Sequence, residues 1–170
     1  MSAEFPEHPF WPFSLQLYAQ PGVSAACLEL QDDYGLDVNL VLFCIWSGLH
    51  GPGELQADEL SESIARAASW QTEVVQRIRY VRRTLKHDAL GATTELAAVL
   101  RPRVQAVEID AEHVEQLLLA AVVPLQRGPR DAAAAQTNLR RYLQSAGLDP
   151  QGGVKSAAGR VLAAALQLMA

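Results

Sequence analysis

Residues 37–48, Asp37-Val38-Asn39-Leu40-Val41-Leu42-Phe43-Cys44-Ile45-Trp46-Ser47-Gly48, decide the fold. The stretch opens on an acidic residue suited to a helix N-cap and closes on serine and glycine. Between these ends it is apolar on every side apart from Asn39. A helix without a polar face has nothing to show to water, so it belongs at the centre of a bundle. The expected fold is therefore an all-α, single-domain bundle of about seven or eight helices around Asp37 to Gly48.

Working outward toward the amino terminus, the spacing of Val23, Cys27, Leu30 and Tyr34 predicts a helix from Val23 to Tyr34, closed by Gly35. Phe10 to Gln20 predicts a shorter one, with Pro12 in its first turn and Pro21-Gly22 ending it. Residues 1–9, with prolines at 6 and 9, read as a flexible arm.

Toward the carboxy terminus, His50-Gly51-Pro52-Gly53 is a turn, and a helix from Asp58 carries Leu60 and Ile64 on its inner side. From Gln71 to His87 the spacing of Val74, Ile78, Val81 and Leu85 predicts an amphipathic helix, these residues inward and Arg79, Arg82, Arg83 and Lys86 wet. Thr93 or Thr94 is placed to cap a helix containing Leu96, Val99 and Leu100, which Pro102 should kink or restart. Val107 to Val123 then reads as a long helix with Ile109, Val114, Leu117, Leu118 and Ala121 inward, followed by a basic loop from Gln126 to Arg130. Asp131 is a plausible N-cap for a helix reaching Gly147, and an alanine-rich helix covers Val154 to Met169.

This divides the chain into the arm, a helical domain over residues 10–147 and a carboxy-terminal segment, 148–170, expected to be mobile. The first, second and fifth helices and the Val107 to Val123 helix are expected against the central one.

Composition narrows the function classes. The 170 residues carry a net charge of −5, which argues against a global attraction to nucleic acid or anionic lipid. The longest apolar runs fall far short of the roughly 20 residues that span a bilayer, so no membrane insertion is expected. The opening MSAEFPEHPFWPF lacks the basic region and apolar run of a secretory leader, and a cytoplasmic address is expected. Two cysteines, Cys27 and Cys44, sit within helical patterns and read as reduced and buried.

The block Phe10-Trp11, Phe13-Ser14-Leu15, Tyr18, Pro21-Gly22-Val23, Cys27-Leu28, Leu30-Gln31, Gly35, Asp37-Val38-Asn39 and Leu42-Phe43-Cys44 resembles an uncharacterised proteobacterial family, domain of unknown function 2390. Further on, Trp70, Val74-Val75, Arg79, Arg82-Arg83 and Lys86 are similar to that family's basic helix. The resemblance runs from about Phe10 to Val123 and fades beyond. It implies a small bacterial cytosolic protein and carries no catalytic residues.

Three clusters invite chemistry. Asp33, Asp37 and Asn39, with Glu29 and Asp32 nearby, offer oxygen ligands around one turn, such as Mg²⁺ or Ca²⁺ would take. The competing reading makes Asp37 a helix cap, Asn39 a hydrogen-bonded core residue and the other acids solvated. Arg79, Arg82, Arg83 and Lys86 form a basic face able to grip phosphate or carboxylate, or to pair with the protein's own acids. Phe10 and Trp11 beside the proline-rich arm are candidate docking aromatics. The histidines at 8, 50, 87 and 113 have no metal-ligand spacing, no serine sits in a nucleophile elbow, and no cofactor is implied.

Without a complete catalytic set, a non-enzymatic role is expected, first a protein-interaction or self-associating module. The alternatives are a metal-dependent enzyme or small anionic-ligand binder built on Asp33, Asp37, Asn39, Arg79 and Arg82, and an RNA- or ribosome-associated factor acting through the basic face.

Overall fold

The structure, a computed structural model, describes residues 4–87, 90–125, 128–149 and 152–169. Residues 1–3 of the expected arm, 126 and 127 of the basic loop, and 150, 151 and 170 of the carboxy-terminal segment lie outside the described residues, as does the side chain of His87. The elements are α1 (Phe10–Tyr18), α2 (Val23–Asp32), α3 (Val38–Leu49), α4 (Ala57–Trp70), a π turn (Gln71–Val75), α5 (Gln76–His87), α6 (Thr94–Ala120), α7 (Ala132–Ser145) and α8 (Gly152–Gln167). The fold is all-α, with no strand among the described residues. Nor is any helix among them long and apolar enough to cross a membrane.

The central segment behaves as its composition demands. Every residue of α3 from Asn39 to Leu49 is buried, and Asp37 caps the helix by accepting the Asn39 backbone N–H on Oδ1 at 2.8 Å. Phe10 and Phe13 of α1 pack beside it, the Phe10 ring lying 5.3 Å from Trp46 and 5.7 Å from Phe43. Gly35, at φ 65°, turns the chain from α2 into α3, the Leu36 N–H reaching back to the Leu30 carbonyl at 3.0 Å.

The wrapping of α3 differs from expectation. Its broadest partner is α7, with α6, α1, α2, α4 and α8 around it, whereas α5 packs mainly on α6. Gly48 makes the α3–α7 approach possible: a Cβ there would lie 2.2 Å from the Ala135 backbone nitrogen. Asn138 of α7, completely buried, joins the same region. Its Oδ1 accepts the Leu55 N–H at 2.8 Å, and its Nδ2 donates to the Gly53 and Cys44 carbonyls at 3.0 and 3.2 Å. Val154, Ala157, Ala158, Val161 and Ala165 of α8 enter this core as well.

Two expectations on the second half are corrected. Pro102 does not restart a helix: α6 runs through it for 27 residues, capped by Thr93, whose hydroxyl accepts the Leu96 N–H at 3.3 Å. A proline removes one i→i−4 bond, and the strong helix formers on both sides carry the helix past it. The inward face of α6 also carries acidic and amide side chains among its apolar ones. Ile109 is 42% exposed, while Glu108, Ala111, Glu115, Gln116, Leu119 and Ala120 are buried.

Likewise on α5, Val81 is 46% exposed while the Arg79 side chain is only 13% exposed. Val74, Ile78 and Leu85 are half-buried as periodicity selects, but Arg79 and Arg82 are half-buried beside them, and Val75 of the π turn is fully buried. Polar faces of α5 and α6 have turned toward each other because their charges match, and a polarity pattern cannot register matching between distant segments.

Candidate functional site

The polar interior opens into a cleft of about 440 Å³ between α1, α2, the start of α3, the π turn, α5 and α6. One wall is apolar and half open to solvent, with Leu15 51%, Leu28 47% and Tyr18 41% exposed and Trp11 at the edge. Trp11 is held by stacking on His113, ring centres 4.2 Å apart. The remaining wall and floor are charged or polar: Asp37, Asn39, Gln71, Arg79, Arg82, Glu108, Glu112 and Gln116 all line the cleft.

Beneath that floor runs a chain of side-chain hydrogen bonds. The Ser14 hydroxyl lies 3.0 Å from Gln116 Oε1, Gln116 Nε2 donates to Asn39 Oδ1 at 2.9 Å, and Asn39 Nδ2 donates to Glu115 Oε2 at 2.8 Å. The network expected around Asn39 is therefore present, with partners from α1 and α6. Glu115, fully buried, has the Asp37 carboxyl as its next neighbour, and the Gln71 side chain is also within hydrogen-bonding reach of Asp37. The Tyr142 hydroxyl of α7 closes the chain by accepting the Asp37 backbone N–H at 3.0 Å.

Electrostatics follow from burial. Removal from water raises the Glu115 carboxyl well above the usual carboxylate range, and the neighbouring Asp37 raises it further. Burial raises Asp37 also. Two carboxyls in contact cannot both ionise cheaply, so the pair holds a proton at neutral pH. That proton accounts for two buried acceptors without a protein donor, Asp37 Oδ2 and Glu115 Oε1. Burial likewise raises Glu112. For Glu108 burial works upward too, but the hydrogen bonds from Arg82 and Arg79 overcome it and hold that carboxyl low.

Of the residues singled out from the sequence, Asp37, Asn39, Arg79, Arg82 and Arg83 come to this one cleft. Asp33 does not: it is exposed beyond the end of α2. Among the described residues no group of three or more His, Cys, Asp or Glu is placed to hold a metal ion.

The basic face is largely spent within the molecule. Arg79 donates to Glu108 at 2.9 Å and to Glu112 at 2.7 Å, Arg82 pairs with Glu108, and Arg83 pairs with Asp32 at 3.0 Å. Lys86 stays exposed. Phe10 is a core residue at 0% exposure and is unavailable for docking, because its ring fills the space beside Phe43 and Trp46. Cys27 touches the cleft, but burial pushes its thiol up to about 12, which makes it a poor nucleophile.

The decisive residues that pattern reading passed over are Glu108, Glu112, Glu115, Gln116 and Gln71. For the four on α6 the one available signal was the density of Glu and Gln between Glu108 and Gln116, opposite in sign to the arginines of α5.

Comparison with curated proteins and with solved structures finds no match for the chain. A family model described as a protein of unknown function (DUF2390) matches residues 9–119, a span that includes every residue lining the cleft, and the chain belongs to that family.

Proposed function

We propose that the cleft binds a small organic molecule with a compact apolar body and a hydrogen-bonding end. The observation that supports this most is the juxtaposition itself: half-exposed Leu15, Tyr18 and Leu28 stand over a buried polar floor in a space of about 440 Å³. Ligand sites combine apolar lining with a few fixed polar groups in this way. The arginines, committed to Glu108 and Glu112, leave little grip for an anion or for RNA. The test is protein-observed NMR with a set of aryl-alkyl fragments, following the Trp11 indole resonance. Fragments that bind should shift it, and Ile109→Trp, which fills the mouth, should abolish the effect. An unmoved Trp11 resonance across the set would remove the reading.

A second reading, an interaction module, is favoured by the outer face of α6, where Leu96, Val99, Leu100 and Val107 are 47 to 65% exposed along one helix. Sedimentation velocity at rising concentration should then show self-association that Leu100→Glu abolishes. A monomer throughout would count against it.

A further inference from the structure

Three buried acceptor oxygens at the head of the cleft lack a protein donor: Asp37 Oδ2, Glu115 Oε1 and Gln71 Oε1. Asp37 and Gln71 line the cleft, and Glu115, at 0% exposure, lies directly behind Asp37. The charges around them do not balance. Asp37, Glu115, Glu112 and Glu108 are four carboxyls facing two guanidiniums, Arg79 and Arg82, while Arg83 is matched by Asp32 outside this group. Besides these, the titratable group facing the pair is the Tyr142 hydroxyl of α7, which burial keeps neutral.

We propose that the polar end of the ligand is a protonated amine, seated on Asp37 with Gln71 beside it and Glu115 behind. The inference rests on the small-molecule reading of the same cleft and supplies its ligand class. An ammonium group carries donors and no acceptor, which suits a place that presents acceptor oxygens on Asp37, Glu115 and Gln71 once the shared proton has left. Its positive charge also does what the shared proton does in the empty cleft, allowing two adjacent carboxyls to coexist. On binding, Glu115 loses its proton to solvent and becomes a carboxylate. The ammonium keeps all its protons, and no covalent bond forms. Binding is therefore coupled to release of up to one proton and tightens as pH rises.

The experiment is isothermal titration of the full chain at neutral pH with phenethylamine, and with its neutral and anionic counterparts 2-phenylethanol and 3-phenylpropanoate. Each titration is done in phosphate and in Tris so that the buffer ionisation heats report proton release. The expected result is at least tenfold tighter binding of the amine than of either counterpart, with a buffer-dependent heat corresponding to proton release for the amine alone. Glu115→Gln, which cannot ionise, should bind the amine without proton release. Equal or tighter binding of the alcohol or the carboxylate, or amine binding by the unaltered chain without proton release, would overturn the assignment while leaving the cleft a ligand site. Failure of all three probes to bind would overturn the ligand-site reading itself.

Discussion

Asn39 of α3 donates its side-chain amide to Oε2 of Glu115 on α6 at 2.8 Å, joining positions 76 residues apart beneath the cleft floor. The other oxygen of Glu115 faces Asp37, so the glutamate must itself supply a donor there. A glutamine in its place offers the same acceptor to Asn39 and an N–H to Asp37. Glu115→Gln should therefore fold with little loss of stability. Glu115→Ala strands Asn39 and leaves a void, at a cost of about 1–3 kcal/mol for the orphaned polar groups. Urea denaturation of the two variants separates these outcomes.

Stability should fall as the solution is made alkaline. Glu115 is raised by burial above its ordinary 4.5 to about 10, so across that interval the folded state holds a proton that the unfolded state has released. Its contribution is complete below about 4.5 and is lost as pH rises through the folded value, with a slope of at most about 1.4 kcal/mol per pH unit. Glu108, held low by its arginines, works in the other direction: its contribution is present above its ordinary value and is lost on acidification. A stability maximum on the mildly acidic side is expected from chemical denaturation across pH, and Glu115→Gln should flatten its alkaline flank.

The two classes of arginine pair should separate clearly by mutation. Glu108 is 6% exposed and holds Arg79 and Arg82, themselves 13% and 22% exposed. Glu108→Ala leaves Arg82 without its carboxylate and Arg79 with Glu112 alone, a loss on the order of 3 kcal/mol. The Arg83–Asp32 pair is half exposed on both sides, and Arg83→Ala should cost less than about 1 kcal/mol. Thermal unfolding of the two variants provides the comparison.

Much of this was legible in advance, and what was not has a physical cause. The central helix was plain because Asn39 is its one polar residue before Ser47, and Asp37 was recognisable as its cap. Gly35 and Asp131 marked helix ends, and Asp131 does accept the Ala134 N–H at 2.8 Å. Hydrophobic spacing failed on α5 and α6 for a single reason. It assigns charged faces to water, and Arg79 and Glu108 are each other's environment. The site was half legible: Asp37, Asn39, Arg79 and Arg82 were named, whereas Glu115 and Gln116 were hidden within a helix whose expected inner face included Ile109, which points to solvent.

Glycines separate by their surroundings. Gly48→Ala would drive a methyl group into the Ala135 backbone, 2.2 Å away, forcing α3 and α7 apart at a cost on the order of 1–3 kcal/mol. Gly159, inside α8, meets nothing within 4 Å, and Gly159→Ala should stabilise by about 0.5–1 kcal/mol. Paired denaturation curves should move in opposite directions.

The proton shared by Asp37 and Glu115 is the centre of the account, and infrared difference spectroscopy observes it directly. At neutral pH the protein should show the carbonyl stretch of a buried, protonated carboxyl group, absent from Glu115→Gln and restored in Glu115→Asp. A spectrum with only ionised carboxylates at neutral pH would contradict the pairing and the cation site inferred from it.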